Sequence, residues 1–211
     1  MLRRFGLQRL SWLDRPTGRV IRRYEHAAPG DLLHVDIKKL GRIPAGGGWK
    51  THGRGQAGVR QRVGYAYIHS AVDDHSRLAY SEVLADERGV TVVRFWQRAQ
   101  AWFAERGITV RAVLTDNGPG YRSSDFARAC VAADVRHRFT RPYRPQTNGT
   151  VERFNRTLLE EWAYVRVYRS EHARTQALVR WLHQYNCHRS HTALGGLPPI
   201  SRVTNLPGQY S

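Results

Sequence analysis

Residues 113–126 (VLTDNGPGYRSSDF) and residues 141–159 (RPYRPQTNGTVERFNRTLL) place two carboxylates in different structural settings. A short apolar run predicts a strand that ends at Asp116, because the Asn-Gly-Pro-Gly sequence after it stops a strand. Glu152 follows a segment rich in Pro and Gly and falls in the first turn of a predicted helix. The chain therefore presents one acid at a strand end and another near a helix start.

The predicted helix around Glu152 has two distinct faces. Its candidate N-cap is Asn148 or Thr150. Apolar side chains recur at helical spacing along one face, at Phe154, Leu158 and Trp162. The other face carries Glu152, Asn155 and Arg156, and it is the face that could look into a site.

Either carboxylate alone is ordinary, since Asp-Asn-Gly is common in turns and Glu in a first turn interacts favourably with the helix dipole. A third acid changes this interpretation. Asp36 interrupts the apolar run LLHVDI of residues 32–37, which predicts a buried strand. A buried carboxylate is costly unless a cation compensates for it.

Asp36, Asp116 and Glu152, with thirty-five residues between the last two, resemble the Asp-Asp-35-Glu triad of the retroviral-integrase-like transposases of bacterial insertion sequences. The segments LTDNGPGY, RPYRPQTNGTVERFNRTL and YNCHRSHTALGGLPP are similar to that family as well, and the resemblance covers roughly residues 30–200. It implies a polynucleotidyl transferase, a DNA transposase that catalyses metal-dependent cleavage at 3′ ends and strand transfer.

The chemistry of the three acids agrees with that implication. Mg²⁺ prefers oxygen ligands and is usually held by a few carboxylates together with phosphate and water. The expected cofactor is a pair of Mg²⁺ ions, with Mn²⁺ as a possible replacement. In the roles that the resemblance implies, Asp36 bridges the two ions, Asp116 holds one and Glu152 holds the other.

The charge of the chain favours a nucleic-acid partner. Lys and Arg number 34 against 17 Asp and Glu, for a formal net charge of +17. Side chains suited to holding a DNA end occupy the loop before Glu152 and the helix after it: Arg141, Tyr143, Arg144, Gln146, Asn148, Asn155 and Arg156. For Arg156, a phosphate contact and an i,i+4 pairing with Glu152 or Glu160 both stay open. The family resemblance implies that the partners are transposon ends and a target duplex, bound by a homo-multimer.

The predicted elements form an α/β domain. Strands are expected at about 32–40, 63–72, 78–84, 110–115 and 135–139, helices at 90–105, 124–133, from 151 onward and 171–187, and a Gly-rich loop near the site at 41–62. Strands first and then alternating strands and helices predict a mixed five-stranded sheet flanked by helices. The resemblance makes this the ribonuclease H-like fold. Residues 1–29 are expected to form a basic arm or linker, residues 30–170 the integrase-type catalytic core, and residues 171–211 a C-terminal helix and a Gly/Pro-rich tail.

For several other polar residues, the sequence offers a structural role as an alternative to a metal-binding or catalytic one. Asp73 and Asp74 are expected to organise a turn by holding Ser76 and Arg77. His34 shares a strand face with Asp36, where it is either a packed, hydrogen-bonded side chain or a partner of the site.

Two cysteines offer neither a disulfide framework nor a zinc site. No signal peptide or membrane-spanning run is apparent, so a cytoplasmic, nucleoid-associated bacterial protein is expected.

Two alternatives remain beside the transposase. A ribonuclease H-like nuclease would share the fold and hydrolyse DNA without strand transfer. A truncated, inactive DNA-binding remnant would keep the basic charge alone, and it gains weight because the chain has no room for the helix-turn-helix modules that members of the family usually carry upstream.

Overall fold

The computed structural model describes residues 26–53, 63–140 and 149–203 of the chain. Strands are β1 (Leu33–Gly41), β2 (Tyr65–Asp73), β3 (Ala79–Leu84), β4 (Ala112–Thr115) and β5 (Arg136–Phe139). Helices are α1 (Trp49–His52), α2 (Gly89–Ala104), α3 (Ser124–Ala132), α4 (Gly149–Leu158) and α5 (Glu171–Cys187), with a π-helical turn at Leu159–Ala163 and 3₁₀ turns at Thr192–Leu194 and Pro199–Arg202. The predicted basic arm up to residue 25 lies outside the described residues.

A mixed sheet organises this part of the chain, with strand order β3-β2-β1-β4-β5. β2 pairs antiparallel with β1 and β3, whereas β4 runs parallel to both β1 and β5. Parallel neighbours need a crossover connection, which α3 supplies between β4 and β5. The predicted mixed five-stranded sheet flanked by helices is confirmed.

The two faces of the sheet bury different helices. Leu33 and Val35 of β1 are fully buried in a cluster with residues of α2 and α3. Leu40 lies on the opposite face, in a cluster with apolar residues of α4 and α5. Successive side chains alternate between faces, so Asp36 points to the same side as Leu40. That side of the sheet is the one that α4 covers.

Most element boundaries fall within two residues of their predicted positions, and α5 has the predicted bounds. Ser123 caps α3, because its hydroxyl accepts a hydrogen bond from the Phe126 N–H. Thr150 was the wrong candidate for the N-cap of α4, since the helix already includes Gly149. Asn148, the other candidate, lies outside the described residues.

The predicted loop after β1 contains a short helical turn, α1, that the sequence did not predict. Gly47 makes this turn possible because it has φ +106, and a Cβ there would lie 2.1 Å from the Thr51 hydroxyl oxygen. Gly and cationic residues dominate this segment, so no apolar periodicity marks the turn in the sequence.

The helix after α4 widens into the π-helical turn, where the Tyr164 N–H donates to the Leu159 carbonyl at 3.0 Å. Trp162 in this turn is buried, and its indole N–H donates to the Arg174 carbonyl of α5 at 2.9 Å. The apolar face predicted from Phe154, Leu158 and Trp162 is therefore confirmed as core. None of the described helices is both long and apolar enough to cross a membrane.

Candidate active site

Asp36 and Asp116 come side by side because β1 and β4 are parallel neighbours. His34 is paired with Leu114 in this register. Two residues further along each strand, on the same side of the sheet, the register reaches Asp36 and Asp116. The strand order therefore brings together two acids that are 80 positions apart in the sequence.

The turn after β4 orients the Asp116 carboxylate. The Gly118 N–H donates to Asp116 Oδ1 at 2.9 Å, and a Cβ at Gly118 would lie only 2.9 Å from that oxygen. The Asn117 amide donates to the Thr140 carbonyl at 3.0 Å, which ties the turn to the segment after β5. The Asp-Asn-Gly sequence thus fixes an exposed carboxylate at the end of the strand.

The Asp36 side chain is only partly exposed, and its surroundings disfavour the charged form of its carboxylate. Burial, together with the negative charge of Asp116, raises the pKa of Asp36 to about 6. Three neighbours oppose this rise: the Ile37 N–H, the positive charge of Lys38, and the Asn155 side-chain amide, which donates to Asp36 Oδ2 at 2.7 Å. They do not cancel it, and a divalent cation beside the two carboxylates would.

Two buried polar atoms near the pair lack hydrogen-bond partners among the described residues: Asn155 Oδ1 and the Tyr121 hydroxyl. Burial raises the pKa of Tyr121 far above its usual value, and the charges of Asp36 and Asp116 raise it further. Buried polar groups are rarely left unpaired unless water or an ion completes their surroundings. The Asn155 amide oxygen, on a side chain that also bonds to Asp36, fits a hydrated, hard cation such as Mg²⁺ beside the two carboxylates.

Glu152 lies in the first turn of α4 with an exposed side chain. It precedes Asn155 by three residues, so both occupy the same side of the helix. The described residues contain no group of three His, Cys, Asp or Glu side chains close enough to hold a metal ion. The structure therefore brings Asp36, Asp116 and Asn155 together, and it leaves Glu152 nearby without closing it onto the pair.

The predicted DNA-binding residues fall into two groups. The loop residues lie outside the described part of the chain: Arg141, Tyr143, Arg144, Gln146 and Asn148. Of the two on α4, Arg156 is exposed, whereas Asn155 is buried against Asp36. Within the described residues, neither Glu152 nor Glu160 forms an ion pair with Arg156. A DNA contact of each of these residues stays a prediction.

Sequence reasoning missed two features of this site. Asn155 was assigned to DNA, although its spacing of three from Glu152 places it one turn along the same helix side and could have indicated the contact with Asp36. Tyr121 carried no signal, because an aromatic residue after a turn is usually core. Its ring does pack in the core, against Phe126, and its hydroxyl is buried without a hydrogen-bond partner among the described residues.

The acids predicted to organise the turn between β2 and β3 do so. Asp73 accepts from the Ser76 N–H at 2.6 Å, and Asp74 accepts from the Arg77 guanidinium at 3.1 Å. His34 is buried, and its Nε2 lies 3.1 Å from Asp74 Oδ1. His34 is therefore a packed, hydrogen-bonded side chain, as one of its two interpretations predicted.

The fold agrees with comparisons to known proteins. A family model described as "Integrase core domain" matches residues 26–145, and a second model of the same description matches residues 133–199. The chain belongs to the integrase core domain family. The predicted resemblance to insertion-sequence proteins with an integrase-type core is confirmed.

Among curated proteins, the chain is similar to an uncharacterized 39.2 kDa protein of the insertion element IS476 from Xanthomonas euvesicatoria. The two are 27% identical over 228 residues, which cover 99% of this chain and 63% of that protein. The chain spans 5 to 10% of the length of the Pol-type polyproteins that it also matches.

Among solved structures, the fold is similar to a chain of the simian T-cell lymphotropic virus intasome, with a TM-score of 0.62 and 21% identity over 89% of this chain and 59% of that chain. It is also similar to the catalytic core domain of the HTLV-2 integrase, solved in complex with magnesium. That match has a TM-score of 0.56 and 16% identity, over 84% of this chain and 98% of the other. The predicted ribonuclease H-like fold is confirmed.

Proposed function

We propose that this chain is the catalytic core of a DNA transposase, which cleaves DNA at 3′ ends and transfers the new ends to a target in a metal-dependent reaction. The observation that carries this proposal is the Asp36–Asp116 pair. Asp36 lies on β1 and Asp116 directly after the neighbouring strand β4, and the pKa of Asp36 stays raised despite the hydrogen bond that it accepts from Asn155. Membership of the integrase core domain family supports the same chemistry.

The metal ligands in this proposal are Asp36, Asp116 and Glu152, and the expected ions are two Mg²⁺, replaceable by Mn²⁺. Bound divalent ions would activate the attacking hydroxyl and neutralise charge on the leaving oxygen. Asp36 contributes a carboxylate fixed by its strand and by the Asn155 amide, and Asp116 contributes one fixed by the Gly118 N–H. Glu152 supplies the third carboxylate from a different element, so its approach depends on how α4 is held.

DNA is the proposed partner, in the form of transposon ends and a target duplex, with several copies of the chain acting together. The formal charge of +17 supports attraction to a polyanion. Arg156, exposed one turn after Glu152, is the proposed phosphate contact on α4. Such a contact would position a strand next to the acids without reading its sequence.

A cleavage and joining assay tests the proposal. Purified protein is incubated with a labelled duplex that carries the element's end, with Mg²⁺ or with EDTA. We expect Mg²⁺-dependent 3′-end cleavage followed by joining to a second duplex. Asp36→Asn, Asp116→Asn and Glu152→Gln should each abolish both steps while DNA binding is kept. Asp134→Asn is the matched control, because Asp134 is exposed with φ 54, a conformation that Asn tolerates well.

The outcomes separate the three candidate functions. Cleaved and joined products support the transposase. Cleavage without joined products indicates a nuclease that shares the fold. DNA binding with no cleavage under any divalent ion indicates an inert binding protein. Full activity of any one of the three variants removes that residue from the site.

A further inference from the structure

The turn between β2 and β3, residues 73–77 (DDHSR), begins with two acids that make different contacts. Asp73 holds the turn together, since its Oδ2 accepts from both the N–H and the hydroxyl of Ser76, at 2.6 and 2.7 Å. Asp73 Oδ1 also accepts from the Gly30 N–H at 2.7 Å. Asp74 is therefore available for contacts beyond the turn.

Asp74 gathers hydrogen bonds from several distant segments, and its side chain is 5% exposed. The donors are the His26 N–H at 3.1 Å, the Arg77 guanidinium at 3.1 Å and the Thr150 hydroxyl at 3.0 Å. Nitrogens of the His26 and His34 rings lie 2.8 and 3.1 Å from its oxygens. Burial alone would raise the pKa of Asp74, but the hydrogen bonds from His34 and His26 hold it well below its usual range. Asp74 is thus a charged anchor inside the protein.

One of these contacts reaches the helix that carries Glu152. The Thr150 hydroxyl donates to Asp74 Oδ1 and accepts from the Arg77 guanidinium at 2.8 Å, so both of its hydrogen-bonding capacities point to the turn. Thr150 is the second residue of α4, where a helix end would otherwise fray. Thr150, one of the two predicted N-cap candidates, therefore bonds to the turn rather than to its own helix.

Two hydrogen bonds therefore bracket Glu152 on α4. Thr150, two residues before it, is fixed to Asp74, and Asn155, three residues after it, is fixed to Asp36. The first bond sets the start of the helix and the second sets its next turn. Together they determine where the exposed Glu152 side chain stands relative to the Asp36–Asp116 pair.

Building on the proposed function, we infer that Asp74 and Arg77 are positioning residues, which hold the start of α4 through the Thr150 hydroxyl so that Glu152 reaches a cation bound between Asp36 and Asp116. Neither residue touches DNA or the reacting atoms in this role. Loss of the hydroxyl contact weakens the response to the divalent ion more than it weakens the fold.

Thr150→Val tests this inference, because it removes the hydroxyl and keeps a side chain of similar shape. Thr150→Ser is the conservative variant that restores the hydroxyl. Thr157→Val is the matched control on the same helix, since among the described residues the Thr157 hydroxyl bonds to the helix's own backbone, at the Arg153 carbonyl. Two properties are measured for each protein: the Mg²⁺ concentration that gives half-maximal cleavage, and amide hydrogen exchange in residues 149–155.

We expect Thr150→Val to raise the half-maximal Mg²⁺ concentration about tenfold, the lower end of the cost of losing an outer partner of a metal site. Hydrogen exchange in the first turns of α4 should become faster, whereas binding of DNA in EDTA stays unchanged. Thr150→Ser should restore both properties, and Thr157→Val should resemble the wild type.

An unchanged Mg²⁺ response in Thr150→Val overturns the inference, and so does an equal effect of Thr157→Val. The exchange measurement needs no activity. If the wild type cleaves no DNA, both the proposed function and the catalytic part of this inference fail. Independently of cleavage, an unchanged rate of amide hydrogen exchange in Thr150→Val would show that Asp74 does not hold the helix.

Discussion

At the scale of single residues, Asp36 carries its carboxylate in a position that lowers the stability of the folded protein when no metal ion is bound. Its carboxylate lies in the middle of β1, partly shielded from water and beside Asp116. Both conditions disfavour the charged form. A divalent cation reverses this balance, because it is attracted to the same charges that repel each other.

The first prediction concerns stability without metal. The pKa of Asp36 is about 6 in the folded protein against 3.8 as the ordinary value. A raised folded-state pKa means that the neutral acid fits the fold better than the charged one, so wild-type stability falls relative to Asp36→Asn as the pH rises from about 4 through 6. At pH 8 the variant should be more stable by up to about 3 kcal/mol.

Urea unfolding of both proteins in EDTA, at pH 4 and pH 8, measures this difference. Repeating the pH 8 measurement with Mg²⁺ should stabilise the wild type and leave Asp36→Asn unchanged. Equal stability of the two proteins at pH 8 in EDTA would show that Asp36 carries no electrostatic penalty.

Two residues of the site show what the sequence could predict and what it could not. Asp36 was singled out from the sequence because a charge in an apolar strand is conspicuous. The contact of Asn155 with Asp36 was not predicted, since hydrogen bonds between distant elements depend on how the helix packs on the sheet, and no local pattern encodes that packing.

At the scale of elements, α5 protects the edge of the sheet. Asn186 is 5% exposed, and its amide forms two hydrogen bonds with the backbone of Ala79, at 2.9 Å to the N–H and 2.8 Å to the carbonyl. Ala79 is the first residue of the edge strand β3. The side chain thus pairs backbone groups that an edge strand would otherwise leave open.

The second prediction follows from this pairing. Asn186→Leu keeps the volume of the side chain but leaves the buried N–H and carbonyl of Ala79 without partners, which should lower the free energy of unfolding by about 2–4 kcal/mol. Gln184→Leu, at an exposed position of the same helix, is the control and should change it by less than about 0.5 kcal/mol. Similar midpoints for both variants in urea unfolding would contradict the role of Asn186.

Element prediction succeeded where one periodicity dominated. The alternation in β2 and the apolar spacing in α5 gave these elements nearly their observed bounds. Element prediction failed at α1, because a Gly-rich segment shows no apolar periodicity even where it forms a helical turn. It also failed at Thr150, because the Thr150 hydroxyl bonds to Asp74 rather than to its own helix. In both places, contacts across the fold decided the local structure.

At the scale of the whole molecule, the strand order of the sheet places Asp36 and Asp116 next to each other. The order of the predicted elements indicated a mixed sheet with helices on its faces, and the family resemblance indicated the ribonuclease H-like fold. The strand order β3-β2-β1-β4-β5 was not predicted. The position of Glu152, which does not close onto the two aspartates in this structure, could not be predicted from spacing in the chain, because it depends on the placement of α4.

Net charge gives the third prediction. DNA binding by a chain of charge +17 should weaken steeply with salt. Arg156→Ala should lower the affinity and reduce the slope of log K against log salt by about one unit, as expected for one lost phosphate contact. Arg94→Ala is the control, because Arg94 is exposed on α2, across the sheet from α4. If the two variants have the same slope, Arg156 makes no specific phosphate contact.

The most direct test of the metal site is a crystal structure of the protein with Mn²⁺, in which anomalous scattering locates the ion. We predict a peak between the Asp36 and Asp116 carboxylates, with Glu152 turned toward it, and no peak in crystals of Asp36→Asn. An anomalous map without a peak between those two carboxylates, in crystals of protein that cleaves DNA, would contradict the account.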